Sequence, residues 1–238
     1  MAILGVASAC RRDCSGREDQ AIRQSHAIAQ FLARNYLRLL TLNAFSSTTC
    51  WTSHHSFVEY QGQWYLFYHD RDLSPAFDKR RAIRADKLYF NDDGSIRKVT
   101  PTLRGVGLVN AASQIQIDRY SARSGDAVEA SFLDDANPHA GWKVVFGAAP
   151  SWVRFNEVDF GRGGQKTLEV RAKASGKGGL EIRLDSQDGP VIGRVKVDGG
   201  MDWTIAKAGA RKVPAGVHDL FVMQAGAQAV EVDWVRIR

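Results

Sequence analysis

The sequence has little cysteine, no long apolar run and no segment dominated by one sign of charge, and each shortage narrows the field. Its three cysteines, Cys10, Cys14 and Cys50, all fall in the first fifty residues. An odd number cannot all pair, and no second Cys or His pair stands at zinc-finger distance from Cys10 and Cys14, so they read as incidental free thiols. No stretch reaches the length of a membrane-spanning helix. The opening ten residues are apolar, but their basic residues follow the apolar run, the reverse of a secretory signal, so the expectation is no signal peptide and no membrane partner. The formal charge is +6, yet Lys and Arg are interleaved with Asp and Glu along the whole chain, the densest cluster being Lys79, Arg80, Arg81 and Arg84. A nucleic-acid footprint needs basic residues gathered on one element, so the expected surface is mixed and solvated, with no nucleic-acid partner.

What is present is core material and β-patterning. At 238 residues, 44% hydrophobic and 10% aromatic, the chain has enough apolar surface for one large domain or two small ones. Residues 1–50 hold one amphipathic stretch, in which Ile22, Ile28, Phe31, Leu32, Tyr36, Leu39 and Leu40 share a face at helical spacing, and are otherwise unassigned. From Trp51 the pattern becomes β. Ser56–Tyr60 and Gln63–His69 are aromatic and β-branched runs around a Gln61-Gly62 turn, and Asn91-Asp92-Asp93-Gly94 supplies a second turn, so residues 54–99 read as a four-stranded antiparallel sheet. Residues 113–238 carry short strands at regular spacing with Gly-rich punctuation, the pattern of a sandwich. Alternation is clearest at 152–160, 167–174, 179–186, 191–197 and 230–237; in the third, Leu180, Ile182 and Leu184 fall on one face and Glu181, Arg183 and Asp185 on the other. The expected fold is all-β: a jelly-roll β-sandwich over 113–238, preceded by a partial blade over 51–110 and a partly helical N-terminal segment.

Two sets of motifs carry resemblances. His54-His55-Ser56, Gly62–His69 (GQWYLFYH), Leu73-Ser74-Pro75 with Phe77-Asp78-Lys79, and Asn91–Ile96 leading to Pro101-Thr102 resemble the end of the catalytic domain in glycoside hydrolase family 43. That family folds as a five-bladed propeller acting on xylose- and arabinose-containing glycans, and residues 53–107 look like its last blade. Ile115–Tyr120 (IQIDRY), Ser151–Gly161, Gly178–Gly189, Ile192-Gly193, Gly216–Leu220 and Val232-Asp233-Trp234 are similar to family 6 carbohydrate-binding modules. The resemblances imply a polysaccharide partner, xylan or arabinoxylan, and an extracellular or periplasmic parent enzyme, and leave protein partners open.

Glycoside hydrolysis needs two carboxyl groups across the scissile bond, one as acid and one as base or nucleophile. In the resembled family these come from earlier blades, and residues 1–50 contain only Asp13, Glu18 and Asp19 as acids, so no catalytic residue carries over. The sequence points to a non-catalytic binding fragment; the alternatives are a glycosidase completed by another chain and a structural domain that has lost sugar binding. The resemblance implies that His54 points into a propeller axis near a calcium or water, with a strand-capping histidine as the plainer reading. Trp64, Tyr65, Phe67 and Tyr68 read as blade core or inter-blade surface.

Sugar modules stack a pyranose face on an aromatic ring and bond its hydroxyls with polar side chains. Trp203, after the Asp198-Gly199-Gly200 turn and beside Asp202, resembles the loop tryptophan of the family's end site, although Met201 fits that register too; Trp142, after the 134–141 loop, offers a second wall. Either is equally a core residue. Glu231 stands where the family carries a ligand-bonding Asn, and an ionised carboxylate accepts but cannot donate. With that site altered, a second family surface on the concave sheet face would draw on Arg154, Glu181 and Arg183. Trp152 and Trp234, in the middle of strands, read as packing. Asp118 and Asp233 match the positions of the family's structural calcium, with a plain pair of surface acids as the alternative.

Overall fold

The computed structural model describes residues 2–3, 55–70, 82–147 and 150–238. The helical reading of the N-terminal segment, the three cysteines, Trp51, His54 and the 73–79 motifs lie outside the described residues. The chain forms two compact units, Met1–Pro101 and Thr102–Arg238.

The first unit is a four-stranded antiparallel sheet in the order β1 (Ala2–Ile3), β2 (His55–Tyr60), β3 (Gln63–Asp70), β4 (Ala82–Leu88). The β2–β3 turn falls at Gln61 and Gly62, both with positive φ (52° and 78°), which a two-residue hairpin loop requires. Two details differ from the sequence expectation. The third strand runs earlier, over 82–88, and the segment after Asn91–Gly94 returns only through one isolated bridge between Phe90 and Ile96. Asp93 explains why: its carboxylate accepts from both the backbone N–H and the hydroxyl of Ser95, so the residues after the turn are held locally. The fourth place in the sheet is taken by Ala2–Ile3, paired with Val58 and Glu59. Leu66, Leu88 and Val99 form a small core flanked by Phe57, Trp64, Tyr68, Phe90 and Ile96, while Tyr60, Phe67, Ile83 and Tyr89 are exposed. The Tyr68 hydroxyl donates to the buried Asp86 carboxylate at 2.6 Å.

The second unit is a two-sheet sandwich. One sheet has the order β13 (Val191–Val197), β12 (Gly178–Leu184), β15 (Val217–Gln224), β10 (Trp152–Asp159), β5 (Val109–Asn110), with β7 (Ala122–Arg123) also on β10. The other runs β14 (Gly200–Gly209), β11 (Thr167–Ala174), β16 (Val230–Ile237), β9 (Trp142–Phe146), β8 (Val128–Phe132), with β6 (Ile115–Gln116) on β16. Alternate residues of both sheets fill one core: Val153 and Phe155 from β10, Leu180 and Ile182 from β12, Leu168 and Val170 from β11, Val144 and Phe146 from β9, all essentially inaccessible. Within the regular stretches of each strand, the residues between these core positions face outward, and that assignment locates the candidate sites. Val109–Asn110, β5, pairs in parallel with the end of β10.

One device holds β10 in shape. A bulge between Phe155 and Val158 leaves Glu157 at φ 56°, and the half-buried Arg104 donates to the carbonyls of Asn156 at 3.2 Å and Gly107 at 2.8 Å, with Glu157 O at 3.4 Å. Burial lowers the Arg104 pKa, with Glu157 opposing that shift. Nothing in strand alternation announces this residue.

Candidate glycan-binding faces

On β10, Val153 and Phe155 point into the core, so Trp152 and Arg154 point to the solvent side; on β15, Leu220 and Val222 point in, so Phe221 and Met223 point out. Register then composes the face. Arg154 and Arg183 stand opposite Phe221 from either side, and Trp152 and Glu181 stand opposite Met223. The Trp152 and Phe221 rings pack at 5.5 Å between centroids, and Phe221 is only 5% exposed although it lies outside the core, because this cluster covers it. Polar groups frame the aromatics. Glu181 accepts from Arg183 and from Arg194 at 2.5 Å, Arg183 also donates to Gly189 O at 3.1 Å, and Arg154 donates to the Ser121 hydroxyl at 3.3 Å with Asp219 4.0 Å away. Trp152, expected as packing, is thus a half-buried solvent-face residue. An aromatic floor ringed by fixed donors and acceptors is the chemistry that recognises a pyranose.

Trp203 was expected in a loop; it sits within β14, at an irregularity where Met201, Asp202 and Trp203 stand between Gly200 and Thr204 opposite Lys173 alone on β11. Its ring is half-buried on the solvent face of the second sheet, with the Arg171 guanidinium and the Lys173 ammonium each 5.2 Å from its centroid. Glu231 lies on the same face, its carboxylate 2.7 Å from Lys143 and 3.4 Å from Lys173. Lys173 thereby links Trp203 to Glu231, and both are engaged by cations. Asp202 and Met201 are exposed on the edge strand. Trp142 is not brought to them: it alternates with Val144 and Phe146 on the core side of β9 and packs on Phe132 at 4.5 Å. Trp234 is 5% exposed, outside the inner core, beneath the Arg236 guanidinium at 5.4 Å.

Asp118 and Asp233 are both buried, at 4% and 6% exposure, and the Ile117 N–H donates to Asp233 O at 2.9 Å. Burial raises the Asp118 pKa, with Asp233 adding to the rise and Arg119, 3.3 Å away, opposing it. Arg171 donates to Asp233. Among the described residues no cluster of three or more His, Cys, Asp or Glu side chains exists. The donor set fits an oxygen-seeking cation completed by backbone carbonyls or water, since a divalent charge would offset the burial of Asp118.

The described residues thus define a β-sandwich with an aromatic, hydrogen-bonding solvent face, the kind of protein that holds saccharides. Residues 120–238 match the sequence profile of the carbohydrate binding module (family 6), and the chain belongs to that family. It is 26% identical over 185 residues to an arabinoxylan arabinofuranohydrolase of Paenibacillus polymyxa and 27% identical over 185 residues to one of Bacillus subtilis (strain 168), matches that take in 74% and 72% of this chain but only 29% and 35% of those proteins. A 46-residue stretch, 19% of this chain, is 46% identical to a xylosidase/arabinosidase 43A of Humicola insolens and covers 14% of it. Among solved structures, the fold is shared with a glycoside hydrolase family 43 arabinoxylan arabinofuranohydrolase from Bacillus subtilis, at TM-score 0.54 and 23% identity over 78% of this chain and 40% of that one. The chain is a carbohydrate-binding module joined to a region shared with family 43 enzymes.

Proposed function

We propose that this chain is the polysaccharide-binding portion of a xylan- or arabinoxylan-directed glycoside hydrolase, that it performs no catalysis by itself, and that it works outside the cell, where such polymers are found. The observation that carries the binding reading is the Trp152–Phe221 pair on the solvent face of the β10–β15–β12 layer, with Arg154, Arg183 and Glu181 placed by register around it. Trp152 supplies the stacking surface, Arg154 and Arg183 donate to sugar hydroxyls, and Glu181 and Asp219 accept. The first unit takes the role of a terminal propeller blade, and its exposed Phe67 and Ile83 suit contact with neighbouring blades of a longer protein. Asp118 and Asp233 would hold a structural calcium, which supplies charge compensation at the start of the sandwich and no chemistry.

The Trp203–Glu231 face is a second binding surface in this reading, with Lys173 and Lys143 replacing the donors that a carboxylate lacks. Affinity electrophoresis through neutral arabinoxylan, with Trp152→Ala and Trp203→Ala beside the parent and an aryl-glycoside hydrolysis assay in parallel, separates the readings. Retardation weakened more by Trp152→Ala than by Trp203→Ala, without hydrolysis, is the expected result. Retardation abolished only by Trp203→Ala transfers the site to the second sheet; hydrolysis that survives purification overturns the non-catalytic reading.

A further inference from the structure

The positive charge that looks dispersed in the sequence is gathered by the fold at one end of the second sheet. Across neighbouring strands, Lys207, Glu169 and Arg236 stand in register, with Glu169 1% exposed at the centre. Its carboxylate accepts from Arg236 through Nε at 2.8 Å and Nη2 at 2.5 Å and from Arg238 at 2.7 Å, and Lys207 lies 3.3 Å away. Lys207 and Arg238 keep side chains 61% and 53% exposed. Around this cluster the 161–166 and 210–214 segments bring four further exposed cations, Arg162, Lys166, Arg211 and Lys212. Backbone bonds fix the two segments to each other and to the cluster: Gly164 N to Val213 O at 2.9 Å, Ala210 N to Lys166 O at 2.8 Å, Lys166 N to Arg238 O at 2.9 Å. Gly163, at φ 72°, approaches Pro214 so closely that a Cβ would lie 2.6 Å from its carbonyl carbon, so the junction tolerates no side chain.

Three cations thus contact one buried carboxylate, and four more stand exposed on the two adjoining segments. The α-carboxylate of Arg238 accepts from the Lys166 and Thr167 N–H groups, and the other side-chain acids of this end belong to the opposite sheet or its turns: Asp185 faces His218 at 3.0 Å, Asp219 faces Arg154 at 4.0 Å, Asp188 is exposed on the β12–β13 turn, and Asp159 accepts from Gly161 N. Glu169 can neutralise one unit of the charge and no more. The remainder is a solvent-facing field of guanidinium and ammonium donors, and a guanidinium meets a carboxylate through more than one N–H, as Arg236 does at Glu169 Oε2.

We propose that this end of the second sheet is a binding site for the carboxylates of an acidic polysaccharide, a xylan bearing uronate side groups, distinct from the neutral-sugar face around Trp152. The proposal extends the reading of the chain as a polysaccharide binder to the chemistry of the side groups. Carboxylates are favoured over single-stranded nucleic acid because this patch carries no exposed aromatic on which unpaired bases would stack; Trp234, beneath Arg236, is 5% exposed.

The test uses the full chain and a triple variant, Arg162→Gln, Lys166→Gln and Arg211→Gln, all at exposed positions; Lys212, at φ 51°, is left unchanged to avoid backbone strain. Binding is measured on a uronate-bearing xylan, on the same polymer after its carboxyl groups are reduced to alcohols, and on neutral arabinoxylan. A charge-retaining variant, with Lys, Arg and Lys at the three positions, serves as rescue. The expected result is binding to the acidic polymer at least about tenfold tighter than to its reduced form, an advantage that shrinks with added salt and disappears in the triple variant but not in the rescue. Neutral arabinoxylan binding stays unchanged in the triple variant and falls in Trp152→Ala, so loss of the neutral face and loss of the acidic site are read separately. Equal affinity for the acidic and reduced polymers, or an advantage that survives in the triple variant, overturns the proposal. So does preferential binding of duplex DNA over the acidic xylan, which would make the patch a phosphate-backbone surface.

Discussion

Replacing Arg104 with alanine should destabilise the sandwich although the residue contributes no apolar core. Its guanidinium makes two well-formed bonds to backbone carbonyls, Gly107 O at 2.8 Å and Asn156 O at 3.2 Å, and one long contact to Glu157 O. Hydrogen bonds from a charged donor contribute about 1.5–3 kcal/mol each at most, and the half-exposed setting halves that, giving about 2 kcal/mol for the pair. In a domain of this size the loss lowers Tm by roughly 6–8 °C. The bond to Asn156 acts on β10, because Asn156 and Glu157 form the bulge whose N-terminal side presents Trp152 and Arg154, and the bond to Gly107 fixes the segment before β5. Differential scanning calorimetry of the full chain reads it as a downward shift of the sandwich transition, with Arg104→Lys intermediate because one ammonium cannot span both carbonyls. A shift of less than about 1 °C would refute the claim that this side chain closes the bulge.

Acid should weaken the second sheet through Glu169. The hydrogen bonds from Arg236, then those from Arg238 and Lys207, hold its pKa down to about 2 from an ordinary 4.5 despite its burial. A depressed carboxylate stabilises the fold above its unfolded value and loses that contribution as pH falls from 4.5 toward 2, so Glu169→Gln should flatten the pH dependence of urea unfolding in that window. Calcium at millimolar concentration should raise Tm of the parent protein and leave Asp118→Asn unmoved, checked by melting with and without a chelator. Phe155→Ala, which opens a cavity at a fully buried site between the two sheets, should cost about 3–5 kcal/mol by chemical denaturation.

The strands of the sandwich were legible because alternation alone defines them: residues 167–174, 191–197 and 230–237 were expected as strands and are β11, β13 and β16. The family followed from the motifs on those strands. The places that escaped are those where one residue upsets the count. Trp203 reads as a loop tryptophan, yet β14 runs on through it, with Met201, Asp202 and Trp203 bulging between the paired residues Gly200 and Thr204. Trp152 reads as core because tryptophan in mid-strand usually packs, but its parity opposes Val153, and the partner that makes it half-buried, Phe221, lies on a strand more than sixty residues later. Pairing of Ala2–Ile3 with β2 is likewise a contact across most of the first unit that no local pattern encodes. The charge cluster around Glu169 was invisible for the same reason, since its members come from three separated stretches, 162–169, 207–212 and 236–238, and only the fold brings them to one end.

The most direct test of the account follows the indole N–H signals of the six tryptophans by NMR while a neutral xylan oligosaccharide is titrated into the full chain, with assignments from single Trp→Phe variants. The account predicts that Trp152 shifts saturably and that Trp142 and Trp234, packed away from that face, stay in place. Shifts confined to Trp203, or no shift at any indole while the protein remains folded, would contradict the claim that the Trp152–Phe221 face binds the glycan.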